Sequence, residues 1–238
     1  MRWEFTPDEF LYAWGETGSD RIPAPLTVVP SVGWRHEWEA IEADLRQRLP
    51  VRDDPDLSAV LGLAADPDTA ITVIGTSNKP IRLYCAVTQQ SSVALAQMPG
   101  ATVESGGNVV VRTGTPESIA SWVARFAGER PAGATRSMTE SVDALETPSQ
   151  TVNLDYGEVA VSDLIHDLLA APRSGNGHVE IVRGRHDQDG PVHRYLSWFD
   201  VIGDGRYVYR YSRNELTIEP CSPTRFHKIL SRMSGART

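Results

Sequence analysis

The chain of 238 residues has little of what defines several common protein classes. It has two cysteines, Cys85 and Cys221, which are too few for a disulfide scaffold. No apolar run approaches the roughly 20 residues that a membrane-spanning helix needs. The N-terminal segment is acidic and aromatic, unlike a secretory signal. These absences predict a protein of the reducing cytoplasm that does not insert into membranes.

Positive charge is also scarce. Lys and Arg together number 23 against 31 Asp and Glu, which gives a net charge of −8. Only Lys79 and Lys228 are lysines. This balance argues against a general nucleic-acid binder and against binding to anionic membranes. With 40% hydrophobic and 23% charged residues, the chain has the composition of an ordinary globular protein with a substantial core.

The most informative feature that is present is a repeat at a spacing of 107 residues, measured from Pro116 to Pro223. Thr115 and Ser222 are hydroxyl residues placed to cap helices that open with these prolines, and each segment closes on a glycine. A repeat of this length predicts two similar halves. Its apolar positions coincide and fit one face of an amphipathic helix: Ile119, Trp122, Val123 and Phe126 in the first copy, and Phe226, Ile229, Leu230 and Met233 in the second.

Two helices precede the first of two repeat units that have the same order of elements. Helices are expected at about 7–16 and 34–49, separated by a proline-rich extended connection at 22–30. Each repeat unit then contains a short helix, four strand-like runs and the capped helix. The strand-like runs lie at 70–75, 81–87, 92–98 and 108–113 in the first unit, and at 178–185, 192–201, 205–212 and 214–220 in the second.

The links between successive strands are short, so the sheet must be largely antiparallel. We therefore expect an α+β fold, with a central, largely antiparallel β-sheet and a pseudo-twofold repeat of two α-β-β-β-β-α halves. Helices are expected on one face of this sheet. Residues 1–238 would form one domain with halves at about 1–128 and 150–238. The small, polar and proline-spotted residues 129–149 are interpreted as a linker.

Catalytic chemistry has one candidate, an acidic and histidine-rich cluster between His178 and His193. His186, Asp187 and Asp189 could ligate a metal, but no zinc spacing or calcium-loop pattern is completed, and a solvated hairpin turn explains them as well. No serine has a nucleophile-elbow context, and no glycine-rich segment has the strand-to-helix setting of a phosphate loop. We therefore expect that the protein is not an enzyme and has no cofactor and no metal site.

Binding has better support than catalysis. Residues 192–201 and 205–212 are rich in Tyr, Trp and Arg, which are the residue types favoured as anchors of protein interfaces. Ordinary cross-strand packing is the alternative explanation for any one of these side chains. Their density favours a binding surface in the second half.

Several segments, in order along the chain, resemble the EspG family. An F-x-x-x-W start at Phe10 and Trp14 precedes the segment IPAPLTV. R-x-R-L at 46–49 is followed by DPDLSAVLGLA, and the pattern W-x-D-x-x-G-x-G-R-Y begins at Trp198. The resemblance extends over essentially the whole chain.

The resemblance implies a cytosolic chaperone of type VII (ESX) secretion. Such a protein would bind PE–PPE heterodimers at the tip of the PPE subunit, keep them soluble and direct them to the secretion system. The family docks this tip between the sheet and the C-terminal helical part. The positions expected near such a surface are Arg183, Arg185, Tyr195, Trp198, Asp200, Arg206 and Tyr209.

Two other functions stay open at this point. The first is an enzyme that uses the cluster between His178 and His193. The second is a self-associating interaction domain, which would bury the aromatic sheet face in a homodimer. Under the chaperone hypothesis too, the aromatic surface predicts a weak homodimer.

Overall fold

The computed structural model describes residues 1–102, 105–146, 159–185 and 187–234. Within these ranges the chain forms one ten-stranded sheet and seven α-helices. The strands are β1 (Arg2–Phe5), β2 (Thr69–Ser77), β3 (Pro80–Val87), β4 (Ser92–Pro99), β5 (Gly106–Gly114), β6 (Met138–Ser141), β7 (Arg173–Arg183), β8 (Val192–Val201), β9 (Arg206–Ser212) and β10 (Glu215–Pro220). The helices are α1 (Pro7–Gly15), α2 (Arg35–Arg48), α3 (Pro55–Ala65), α4 (Ser118–Ala127), α5 (Val142–Glu146), α6 (Val161–Ala170) and α7 (Pro223–Ser234).

The sheet confirms the antiparallel, pseudo-twofold arrangement. Its strand order is β1-β5-β4-β3-β2-β7-β8-β9-β10-β6. The two halves join where β2 pairs with β7, from Thr69 opposite Arg183 to Ser77 opposite Gly175. Outward from this central pair, each half places its remaining strands in the same sequence and ends in a short edge strand. The 107-residue repeat therefore relates β2–β5 to β7–β10.

The two edge strands were not expected from the sequence. β1 pairs with β5, and β6 pairs with β10 from Ser141 opposite Glu215 to Met138 opposite Ile218. Residues 129–149, interpreted as a linker, thus contain β6 and α5 within their described part. The sequence signal is weak because β6 is four residues long and only Met138 is buried. Such a short edge strand is specified mainly by the backbone hydrogen bonds of its neighbour.

The expectation of helices on one face is wrong, because both faces carry them. On the two-helix face, α4 and α7 pack on alternate residues such as Leu83 and Cys85 of β3. On the opposite, split face, α1–α3 pack on Tyr84 and Ala86, and α6 packs on Phe199. Strands buried on both sides carry continuous apolar runs, and residues 81–87 have that pattern. Among the described residues, no helix is long and apolar enough to cross a membrane.

The two repeat helices lie side by side on the two-helix face. The Ser121 hydroxyl of α4 lies 3.1 Å from His227 Nε2 of α7. As expected, Ser222 caps α7, since the Arg225 backbone N–H donates to its hydroxyl at 3.2 Å. In α4 the expected start shifts, because a tight turn precedes the helix and Thr115 accepts through its backbone carbonyl. The closing glycine of the second copy lies outside the described residues.

The packing of β7 against β8 requires a glycine. A Cβ added at Gly177 would lie 2.1 Å from Cη2 of Trp198, whose side chain is fully buried against Phe226. We expect Gly177→Ala to lower the free energy of unfolding by about 1–3 kcal/mol, because the indole has no space to move into. Urea denaturation of the purified variants measures this change.

Gly62 provides the matched control. It lies in α3, is exposed, and a Cβ there meets nothing within 4 Å. Gly62→Ala should therefore raise the free energy of unfolding by about 0.5–1 kcal/mol through helix propensity. Equal effects of the same sign at both glycines would contradict the proposed clash with Trp198.

Candidate functional site

Three of the seven candidate residues lie in the interior. Trp198, Asp200 and Arg206 are each 1% exposed. Arg206 donates from Nε to Asp200 Oδ1 at 2.7 Å and from Nη2 to Asp200 Oδ2 at 2.9 Å. Its Nη2 also donates to the carbonyl of Ala127 at 2.7 Å, and its guanidinium lies 4.7 Å from the centroid of the Phe226 ring. This group connects α4, β8, β9 and α7.

These three side chains therefore support the fold. A partner would have to separate α7 from the sheet to reach them, because they point to the two-helix face beneath that helix. Strand alternation explains the placement, since residues 196, 198 and 200 of β8 face one way and Tyr195 faces the other. The candidate contact surface can therefore include at most the other four of the seven predicted residues.

The four remaining candidates occupy three places. Arg183 ends β7 on the two-helix face, where burial, and then the charge of Arg194, lower the pKa of its guanidinium. Arg185 lies exposed in the turn between β7 and β8, and its charge opposes the burial that raises the pKa of the Tyr84 hydroxyl to about 12. Tyr195 and Tyr209 lie on the split face. Of the four, only the two tyrosines are strand residues of the split face, and Arg185 borders that face from the turn.

That surface is a band in the middle of the split face that none of the described helices covers, and we call it the central strip. It consists of Ile74 on β2, His178 and Glu180 on β7, and Tyr195 and Ser197 on β8. These side chains share a face because the register places Ile74 opposite His178, His178 opposite Ser197, and Glu180 opposite Tyr195. The helices leave the strip open, since α1–α3 pack over β3–β5 and α6 packs over β9 and β10.

Aromatic stacking and hydrogen bonds fix the side chains of the central strip. The Tyr195 ring stacks on His178 with centroids 5.6 Å apart and an interplanar angle of 24°. His178 Nδ1 lies 2.9 Å from the Ser197 hydroxyl, and His193 Nδ1 lies 2.9 Å from Glu180 Oε1. Desolvation, followed by the charge of Glu180, raises the pKa of the Tyr195 hydroxyl. A preordered surface loses less conformational entropy when a partner binds.

The strip also exposes two large hydrophobic side chains beside its paired polar groups. Ile74 is 51% exposed and Tyr195 is 56% exposed, so both present apolar surface to a partner. A groove of about 520 Å³ continues the strip towards α6 and is bordered by Arg173 and Tyr209. The Arg173 guanidinium lies 4.6 Å from the centroid of the Phe199 ring, so one wall is rigid and positively charged. Such a site can bind an apolar protuberance with a polar rim.

Sequence comparison identifies the family of the chain. A sequence model of the EspG family matches residues 6–232. The chain belongs to the EspG family. Among solved structures, it is similar to the Mycobacterium tuberculosis type VII secretion system chaperone EspG5, determined in complex with a PE25–PPE41 dimer. The TM-score is 0.65 at 14% identity, covering 98% of this chain and 95% of the other, so this likeness concerns the fold. No curated protein matches the chain significantly.

The histidine-rich cluster of this EspG-family chain is divided between two places. Glu180 and His193 pair on the split face, whereas Asp187 and Asp189 lie exposed in the turn between β7 and β8. His186, which completes the cluster in sequence, lies outside the described residues. In the part of the chain that the structure describes, no group of three or more His, Cys, Asp or Glu side chains is placed to hold a metal ion.

The cysteines do not supply a nucleophile to the strip. Cys85 is fully buried on the two-helix face, and burial raises the pKa of its thiol far above the usual range. Burial also raises the pKa of the Cys221 thiol to about 11. Thiols held protonated in this way are unreactive near neutral pH.

Sequence reasoning missed Ile74 and Arg173 as surface residues. Ile74 lies in an apolar strand that reads as core, and Arg173 precedes the segment in which the strand was expected. Only the gap between the two helix layers exposes them. Hydrophobic alternation could have indicated the face of Ile74, but it does not report whether a helix covers that face.

Proposed function

We propose that this protein is a cytoplasmic chaperone of type VII secretion that binds PE–PPE heterodimers at the tip of the PPE subunit. It would keep the pair soluble and direct it to its secretion system. The carrying observation is the central strip, where Ile74 and Tyr195 are exposed between two helix layers. Support comes from family membership and from the solved relative, which was determined bound to a PE25–PPE41 dimer.

The dimensions of the strip suit a helical tip. The three strands β2, β7 and β8 together span roughly 10–15 Å at about 4.8 Å between neighbours, close to the width of one α-helix with its side chains. The helix layers on either side would limit where the tip can sit. Covering exposed apolar side chains on both partners removes surfaces that favour aggregation.

We also propose that residues 1–238 act as one domain of two halves, at about 1–128 and 150–238. The support is the pairing of β2 with β7, which places the junction of the halves at the centre of the sheet. The central strip takes residues from both halves. Separate halves would therefore not present the complete surface.

No catalytic activity is part of the proposal. The polar groups of the strip are already paired with one another, His178 with Ser197 and Glu180 with His193. These pairs lie on an open sheet face rather than in an enclosed cleft that excludes water. Their arrangement suits the polar rim of a binding surface.

Co-expression tests the proposed function. The protein should form a stable soluble complex with the PE–PPE-like pair encoded near its own gene, eluting as one species in size-exclusion chromatography. The pair expressed alone should aggregate. A pair that is equally soluble and monodisperse without the protein, and that does not co-elute with it, would contradict the proposal.

Self-association is the competing use of the same surface. A homodimer that buries Tyr195 would make the strip unavailable to cargo, whereas a weak homodimer would dissociate on dilution. Sedimentation of the isolated protein across concentration separates these cases. Cargo should displace any dimer if the chaperone proposal holds, and a dimer that persists with cargo present counts against it.

A further inference from the structure

A second groove lies on the opposite face of the sheet from the central strip. It follows one flank of α7 over strands β8–β10 and has a volume of about 890 Å³. We call it the basic groove. Its floor is apolar and is formed by Leu196, Val208, Ile229 and Met233. Leu196 and Val208 belong to the core beneath α7, so the floor is rigid.

Positive side chains line both sides of this groove. From α7 come Arg225, Lys228 and Arg232, spaced at i, i+3 and i+7 and therefore on one stripe of the helix. From the strands come Arg194 and Arg210. Lys228, Arg232 and Arg210 are exposed.

Little negative charge balances them. The one carboxylate that lines the groove, Glu219, is held by Arg225 at 2.8 Å. Within the described ranges, no carboxylate forms an ion pair with Arg194, Arg210, Lys228 or Arg232. A protein with a net charge of −8 thus concentrates unpaired positive charge along one groove. Such a field attracts anionic partners and orients them as they approach.

The repeat shows that this charge is a property of the second half alone. At the 107-residue spacing, Ser118 and Ser121 of α4 correspond to Arg225 and Lys228 of α7. Only Arg232 has a basic counterpart, which is Arg125. Helix stability does not explain the difference, because a cation in the first turn, such as Arg225, opposes the helix dipole.

The groove exists because two helices cannot cover ten strands. Packed helices lie 8–10 Å apart and strands about 4.8 Å apart, so α4 and α7 together cover roughly four strands of the two-helix face. In the part of the chain that the structure describes, the outer flank of α7 therefore borders sheet at β9 and β10 that no helix covers. One further helix would fit beside α7 and extend the helix layer.

We propose that the basic groove binds an acidic amphipathic helix of a partner protein. The apolar stripe of that helix would pack on Val208, Ile229 and Met233, and its flanking carboxylates would pair with the two basic rows. Helix-in-groove recognition uses apolar anchors at this spacing, with charged flanks setting orientation. A nucleic-acid backbone is polar and charged, so it would leave the apolar floor without a matching contact. Because the central strip lies on the other face, cargo and this partner can be bound together.

A designed peptide tests the proposal on the full-length protein. The probe is a stapled helical peptide of about 14 residues, roughly 21 Å long, with a leucine stripe flanked by glutamates and a fluorescent label. Fluorescence anisotropy should show saturable binding that weakens as salt rises. The same peptide with lysine in place of glutamate should not bind.

Charge reversal locates the site. Lys228→Glu combined with Arg232→Glu should weaken peptide binding by at least about tenfold, since two attractive contacts become repulsive. Arg125→Glu on α4, the repeat counterpart of Arg232, is the matched control and should leave affinity unchanged. Lys228→Arg keeps the charge and should also bind normally, and circular dichroism confirms that each variant is folded.

Several outcomes would overturn the proposal. They are absence of saturable binding, equal loss with Arg125→Glu, and equal binding of the lysine peptide. Tighter binding of a DNA duplex or of anionic phospholipid vesicles, lost in the same double variant, would assign the groove to a different ligand. The titrations without cargo are independent of the chaperone proposal. In a separate titration with cargo bound, peptide affinity should change by less than about twofold, and mutual exclusion of peptide and cargo would contradict binding on opposite faces.

Discussion

Asp200→Ala should lower the free energy of unfolding by about 3–5 kcal/mol, a large loss for a single truncation. The Arg206 side chain is 2% exposed, and the substitution leaves its guanidinium buried without a countercharge. The loss of two hydrogen bonds, at 2.7 and 2.9 Å, adds to the cost. Urea denaturation followed by tryptophan fluorescence measures the change.

A surface ion pair provides the control. Arg2 Nη2 lies 2.7 Å from Glu4 Oε2, but the two side chains are 58% and 42% exposed. Arg2→Ala should therefore change the free energy of unfolding by less than about 1 kcal/mol. A similar small effect for Asp200→Ala would mean that water or a rearranged side chain compensates Arg206, contrary to the structure.

The double variant Asp200→Leu with Arg206→Leu separates pairing from burial. Removing both charges leaves neither group unpaired, so the double variant should be more stable than the sum of the single variants implies. Arg206 also donates to the Ala127 carbonyl, which the double variant leaves without this partner. Some loss should therefore remain, and simple additivity would contradict the coupling of the pair.

The sheet could be predicted from sequence because its information is local. Short hairpins dictate antiparallel pairing, and the repeated capped helices at 107-residue spacing indicate two related halves. The edge strands could not be predicted in the same way. β6 has only Met138 to mark a buried side, and its position depends on the free edge of β10. Such pairing follows from tertiary structure.

The candidate surface could be predicted only in part, for a related reason. The aromatic density of β8 indicated the correct strand, and Tyr195 is exposed. Alternation also divides that strand into two faces, but it does not say which face helices will cover. Because helices lie on both faces, Trp198 is buried in the core. Ile74, which lies in an apolar strand, is exposed at the surface. The uncovered strip depends on where distant helices end.

The central strip leads to the second large effect, which concerns affinity. Combining Ile74→Ala with Tyr195→Ala should weaken binding of a PE–PPE-like cargo by at least about 30-fold, equivalent to about 2 kcal/mol. Both side chains are more than half exposed, and they are the large hydrophobic members of the central strip. Isothermal titration calorimetry with purified cargo measures the loss.

The same variant should remain folded, which distinguishes binding from stability. Exposed side chains away from packed contacts change the free energy of unfolding little, although Tyr195 gives up its stacking on His178. The control is Trp34→Ala, which removes a larger aromatic side chain, 71% exposed, at the start of α2. It should bind cargo normally. If Trp34→Ala weakens binding as much as the double variant, or the double variant binds normally, the cargo surface is elsewhere. The strip could then still serve self-association. In that case the double variant should fail to form the homodimer that the unaltered protein forms.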